Sequence, residues 1–194
     1  MQMIRKLHWL VHRPLAALVI VLLVFPGLAS AADESFIGLG AGVHRLHFDS
    51  DDRNALDVNR EDEIAAHVRV GLIRPDNRLY GQWTIIPAND YFVTSLTVNA
   101  DYLLRMTPQV LLFGGVGAGA VSLSWNGDNA QDTMPALTLQ AGVIVEITPR
   151  VEVELGVRQL FTRLRTEPQG ADGEAVNVDL DRMGMATAGV NVRF

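Results

Sequence analysis

Apolar and polar residues alternate along most of the chain with a period of two. Between Arg182 and Phe194, Gly184, Ala186, Ala188, Val190, Val192 and Phe194 share one parity. Met185, Thr187, Gly189, Asn191 and Arg193 share the other. A period of two places successive side chains on opposite faces of a β-strand. The same pattern recurs upstream. Strand 1, Phe36 to Phe48, sets Ile37, Leu39, Ala41 and Val43 against Gly38, Gly40, Gly42 and His44. Strand 2, Glu63 to Arg74, sets Ile64, Ala66, Val68, Val70 and Leu72 against Ala65, His67, Arg69 and Gly71. Strand 3 runs from Arg78 to Ile86, with Leu79, Trp83 and Ile85 opposed to Tyr80, Gln82 and Thr84. Strand 4, Tyr91 to Met106, opposes Leu96, Val98, Ala100 and Tyr102 to Ser95, Thr97, Asn99 and Asp101.

Strand 5, Val110 to Trp125, is apolar on both parities. Leu111, Phe113, Val121, Leu123 and Trp125 are read as its outer set. Strand 6 follows a polar stretch from Asn126 to Pro135, with Leu137, Leu139, Ala141, Val143 and Val145 against Thr138, Gln140, Gly142 and Glu146. Strand 7 sets Val151, Val153, Leu155 and Val157 against Glu152, Glu154, Gly156 and Arg158. Strand 8 is the stretch ending at Phe194. Turns at 75–77, 107–109 and 148–150 are short and contain proline. Most of the remaining connections, 49–62, 126–135 and 165–177 among them, are longer and polar. Short turns on one side and longer loops on the other characterise an outer-membrane barrel. The predicted fold is all-β: an eight-stranded antiparallel up-and-down transmembrane β-barrel.

The segment before strand 1 has a different character. Arg5, Lys6 and Arg13 precede an apolar run from Leu15 to Phe25, and Ala29-Ser30-Ala31 follows a Pro-Gly break. A basic region, a short apolar core and a small-x-small site make residues 1–31 a signal peptide cleaved after Ala31. Eleven apolar residues are too few to span a bilayer core of about 30 Å. Residues 32–194 then form one exported domain.

Composition narrows the function. The full chain has a net charge of −6 and no cysteine. The leader holds three of the 16 cations and none of the 22 acids, so the exported domain is more acidic still. No basic stripe points to nucleic acid. Without cysteine there are no disulfides and no lipoprotein processing. The acidic stretch at 49–62 lacks the glycine and terminal glutamate of a calcium loop, and the glycines of strand 1 precede no helix, so neither a metal nor a phosphate site is expected. No cofactor is implied.

Charged residues lie at strand centres: His67, Arg69, Asp101, Glu146, Glu152, Glu154 and Arg158. Inside a barrel they must pair. Eight strands leave a lumen just wide enough for side chains to fill, so these residues are read as an ion-pair network that plugs the interior, with Arg193 as a further partner. Aromatics near strand ends, Tyr102, Trp125, Phe161 and Phe194, suit interfacial girdles.

With these features the chain resembles the small OmpA/OmpX-type barrels, including opacity-like surface proteins. The resemblance rests on eight amphipathic strands, the export signal, the stretch Leu112-Phe113-Gly114-Gly115-Val116-Gly117 and the terminal strand. Thr187, Gly189, Val192 and Phe194 resemble the signal read by the barrel-assembly machinery, with Val192 where an aromatic is more usual. The resemblance implies outer-membrane lipid, lipopolysaccharide and that machinery as partners, without the peptidoglycan-binding domain of two-domain members. It also implies a non-enzymatic role in envelope integrity or surface interaction. A lipid A-modifying enzyme would need a serine, a histidine and an acid together, and His44, His47, Ser122 and Ser124 show no joining motif. A small porin or a soluble periplasmic lipocalin-like carrier would also be compatible with an exported chain of alternating strands.

Overall fold

A computed structural model describes residues 34–50, 63–88, 91–125, 131–166 and 178–194. They form eight strands: β1 (Glu34–Ser50), β2 (Glu63–Ile73), β3 (Asn77–Pro87), β4 (Tyr91–Arg105), β5 (Val110–Trp125), β6 (Gln131–Glu146), β7 (Val151–Thr166) and β8 (Val178–Arg193). The strands follow one another in sequence order around a closed barrel. Each pairs antiparallel with its neighbours, and β1 pairs β8 from Phe36↔Arg193 to Ser50↔Val178. Closure leaves no sheet edge, so the backbone donors of every strand are used within the ring. Beyond Phe36, Ser35 N donates to Phe194 O at 3.1 Å and Phe194 N to Ser35 O at 2.9 Å, extending the seam. The leader and its cleavage site lie outside the described residues.

Two of the tight turns share one local mechanism. Thr107 precedes Pro108, and its Oγ1 accepts from Gln109 N at 3.3 Å and Val110 N at 3.1 Å. Thr148 precedes Pro149, and its Oγ1 accepts from Arg150 N at 3.3 Å and Val151 N at 3.0 Å. In each turn the threonine oxygen satisfies the amide at 109 or 150 and adds to the backbone bond that Val110 N makes with Thr107 O at 3.4 Å, or Val151 N with Thr148 O at 3.3 Å, while proline fixes the backbone.

The faces are inverted relative to a water-soluble barrel. Leu39 (63% exposed), Ile64 (70%), Leu137 (64%) and Val157 (62%) stand outside, whereas Arg78 (1%), Glu152 (1%) and Asp101 (2%) are inside. Tyr102, Phe161 and Phe194 also face outward. The side chain of Trp125 lies outside the described residues. This is the arrangement a lipid-embedded barrel requires. Among the described residues no helix is long and apolar enough to cross a membrane.

The structure corrects the reading of β5. Leu111, Phe113, Val121 and Leu123 are buried inside the barrel, not outside it. Leu112 and Val116 are exposed on the outer face with Gly114 and Ala118. Apolar side chains point inward here because the lumen has apolar clusters of its own. Val121 and Leu123 join Ala65, Ile86, Val93, Leu160 and Met183 toward the loop side. Leu111 and Phe113 join Phe36, Ile73, Leu103 and Ile144 toward the turn side.

The long connections are also shorter than the sequence pattern indicates. β6 begins at Gln131, so residues 131–135 are strand rather than loop, and Pro135 pairs with Ala120. β7 reaches Thr166 and β8 begins at Val178. Pairing of backbones, not alternation of side chains, ends a strand, and it continues here through polar residues.

Candidate functional site

The inward faces of β2, β3, β4, β6, β7 and β8 bring polar side chains together as a network in the barrel's middle. Room for it comes from glycines on the inward parity of β1 and β5. A Cβ at Gly38 would collide with Asn191, one at Gly40 with His67, one at Gly115 with Asp101, and one at Gly117 with Asn99 and Thr138. These glycines are therefore spaces into which opposing polar side chains extend.

Glu154 on β7 is the hub. Its Oε1 accepts from Arg69 Nη1 at 2.5 Å and its Oε2 from Arg78 Nη1 at 2.5 Å. Arg78 also donates through Nε to Asp101 Oδ2 at 2.6 Å. Asp101 Oδ1 accepts from Gln140 Nε2 at 2.5 Å, and the same nitrogen lies 2.5 Å from Tyr80 Oη. The Arg78 guanidinium stacks over Phe113 and Tyr80, 4.6 and 5.0 Å from their ring centres. Arg69 Nη2 donates to His67 Nε2 at 2.7 Å, which places the ring's acceptor nitrogen toward the arginine. Two arginines and two carboxylates thus form one desolvated cluster. Cross-linked charge of this kind is costly to break, because a lone survivor would be buried without a partner.

A second network lies at the turn-side rim. Arg193 donates through Nε to Glu152 Oε2 at 2.9 Å and through Nη2 to Glu152 Oε2 and, at 3.0 Å, to Glu146 Oε1. Arg105 holds Glu146 with two bonds of 3.0 and 3.2 Å. Asn191 joins the two networks, donating to Glu152 Oε1 at 3.1 Å and to Glu154 Oε2 at 3.4 Å. Arg158 stands apart. It donates to Thr97 Oγ1 at 2.7 Å and Asn99 Oδ1 at 3.2 Å, and it makes no ion pair among the described residues.

Of the residues singled out from the sequence, His67, Arg69, Asp101 and Glu154 therefore meet directly or through Arg78. Glu146 and Glu152 meet at the rim, and Arg158 belongs to a neutral hydroxyl and amide cluster. Sequence reasoning missed Arg78, Tyr80, Gln140, Asn191 and Arg105 as members. Arg78 carries a signal, since it shares the parity of Tyr80, Gln82 and Thr84. Its place beside the Pro75-Asp76-Asn77 turn hides it. At the turn-side rim a hollow of about 250 Å³ touches Arg105 and Arg193, whereas the voids beside the central network are small. One of about 10 Å³ touches Arg69, Gln82 and Glu154, and one of about 20 Å³ touches His44, Thr84, Ser95 and Arg158.

Neither a protein-family model nor a curated protein matches the chain. Solved structures do. Over 82% of this chain and 97% of the other, it is similar to Neisserial surface protein A, with a TM-score of 0.62 and 18% identity. Outer membrane protein H from P. aeruginosa matches at a TM-score of 0.57 and 24% identity, over 83% of this chain and 99% of that one. Ail, the attachment invasion locus protein of Yersinia pestis, matches at 0.51 and 17% identity, over 83% and 98%. The fold is that of the small eight-stranded outer-membrane barrels. At these identities the likeness carries architecture and not activity.

Within this outer-membrane barrel fold, His44 does not converge with Ser122 or Ser124, which lie on the opposite face. His44 is buried inside on β1, while Ser122 belongs to the outward parity of β5 and accepts from Thr133 Oγ1 at 3.1 Å. Ser124 shares that outward parity, and the His47 side chain lies outside the described residues. Among the described residues no group of three metal-ligating side chains comes together.

Proposed function

We infer that the chain is a non-enzymatic outer-membrane barrel with a sealed lumen, acting in envelope integrity or in surface interaction through its long connections. The observation that carries this reading is the inversion of the barrel. Apolar side chains cover the outside, while Arg69, Arg78, Asp101 and Glu154 are bonded to one another in the lumen. A lumen whose middle is occupied by cross-bonded side chains, with voids there of about 10 and 20 Å³ and a hollow of about 250 Å³ only at the turn-side rim among the described residues, supports a plug rather than a pore. The connections proposed to act, at 51–62, 126–130 and 167–177, lie outside the described residues.

The partners that follow are outer-membrane lipid and lipopolysaccharide around the apolar belt, and the barrel-assembly machinery during insertion. For the latter, Thr187, Gly189, Val192 and Phe194 supply the recognised pattern on β8. Val192 and Phe194 stand on the outer face, where an assembly factor can meet them.

Two measurements test the reading together. Fractionation should place the protein in the outer membrane as a band whose gel mobility changes on heating. In planar bilayers the purified barrel should give no steady conductance. Large, stable channels would overturn the sealed lumen and favour a small porin, and recovery from the soluble periplasm would overturn the membrane assignment.

A further inference from the structure

The buried charges of the middle layer do not balance. Arg69, Arg78 and Arg158 are inside, with Asp101 and Glu154 to oppose them. The rim network, Arg105 and Arg193 against Glu146 and Glu152, is balanced in itself. Arg69 and Arg78 take both central carboxylates, so the excess cation is Arg158, which is 7% exposed and bonded to neutral oxygens. Among the described residues its Nη1 is buried without a hydrogen-bond partner. Glu63, opposite His44 on β2, forms no ion pair with Arg158 among the described residues.

Arg158 lines the void of about 20 Å³ on its loop side, together with His44, Thr84 and Ser95. The His44 ring is 3% exposed, and among the described residues its Nδ1 is also buried without a partner. Thr84 Oγ1 already accepts from Gln82 Nε2 at 3.0 Å, which frees its own proton to donate. The rest of its lining is apolar: Ile86, Leu160, Met183 and Met185. The void is just above the roughly 10–15 Å³ that one water needs. Several donors, one of them a cation without a counter-charge among the described residues, therefore line one small void together with apolar side chains. That combination matches a small spherical anion, which accepts from every side and offsets the buried charge. It excludes phosphate, sulfate and carboxylate ligands by size.

We propose that this void is a structural site for one halide ion, chloride in the cell, held by Arg158 with His44, Thr84 and Ser95. The ion completes the neutralisation of the plug and is not a transported species. The site has the same chemistry whichever membrane holds the barrel.

The test uses the purified, folded barrel in detergent, heated at constant ionic strength in sodium chloride, bromide or gluconate. The fraction keeping its folded gel mobility is the readout. Chloride and bromide should raise the half-conversion temperature by several degrees over gluconate, saturating with concentration, as binding to the folded state alone requires. The Arg158→Gln variant should lose that dependence. Should it fail to fold, Ser95→Val, which fills the void and leaves Arg158 in place, should lose it too. A general salt effect would move wild type and variants equally and would overturn the proposal. Crystals grown in bromide give an independent reading. An anomalous peak between Arg158 and His44 supports the site, and a water without anomalous signal there overturns it.

Discussion

Glu154 is the residue on which the interior depends. It accepts from Arg69 and Arg78 at once, and no second carboxylate replaces it toward Arg69 among the described residues. Glu154→Gln keeps the shape and removes the charge. Its expected cost is about 3–5 kcal/mol, the loss seen when one partner of a buried pair is removed. Urea unfolding of the refolded barrel measures it, and a loss near zero would mean the lumen is hydrated rather than sealed. The glycines give a gentler probe of the same packing. A Cβ at Gly119 would meet the backbone of Leu96 and Thr97, whereas one at Gly114 meets nothing within 4 Å. Gly119→Ala should cost about 1–3 kcal/mol, as overpacking does, and Gly114→Ala should stay within about 0.5 kcal/mol, as at exposed sites. At this scale the sequence is partly legible. A charged residue amid an alternating strand has to face inward and find a partner, which locates Arg69, Asp101, Glu152 and Glu154. The partner's identity is not legible, because Arg78–Asp101 and Arg69–Glu154 are set by barrel register across 23 and 85 residues.

At the scale of the element, seven strands declare their faces by polarity and β5 does not. Polarity reports a face only where the two environments differ. β5 runs between lipid and a lumen that holds an apolar cluster toward each end, so Leu111, Phe113, Val121 and Leu123 look like outward residues. The glycines are the better signal, since Gly115, Gly117 and Gly119 share their parity and inward glycines already mark β1. The corrected phase is open to direct test. Val116 is 57% exposed at the middle of β5, paired with Ala100 and Leu139. Val116→Arg should impair insertion by about 2–4 kcal/mol, the cost of a cation facing mid-bilayer lipid. Leu123 is fully buried inside, and Leu123→Ala should cost about 2–5 kcal/mol through the cavity it leaves. Folding measurements in lipid vesicles compare the two, and tolerance of arginine at position 116 would return β5 to the opposite phase.

The whole molecule exists only when β8 meets β1. Every other strand pair is joined by a connection within the chain, while this seam must find its register over the full length of the barrel. Such non-local pairing is closed late and at an entropic cost. The alternating face of β8 is legible as a strand from the sequence, and its pairing with β1 follows from the need to remove both edges. The bulge between His47 and Phe48 that shifts the register is not legible, because no residue type there demands it. Phe194 sits at the turn-side end of the seam, where its backbone makes both bonds with Ser35 and its ring is 75% exposed. Backbone and ring can therefore be separated. Phe194→Ala keeps the two backbone bonds and removes the aromatic surface. If the ring serves recognition by the assembly machinery, the variant should refold in vitro like the wild type while its folded amount in the outer membrane falls several-fold. Equal losses in both settings would assign the ring to anchoring in the interface instead, because lipid is present in both and the machinery in one.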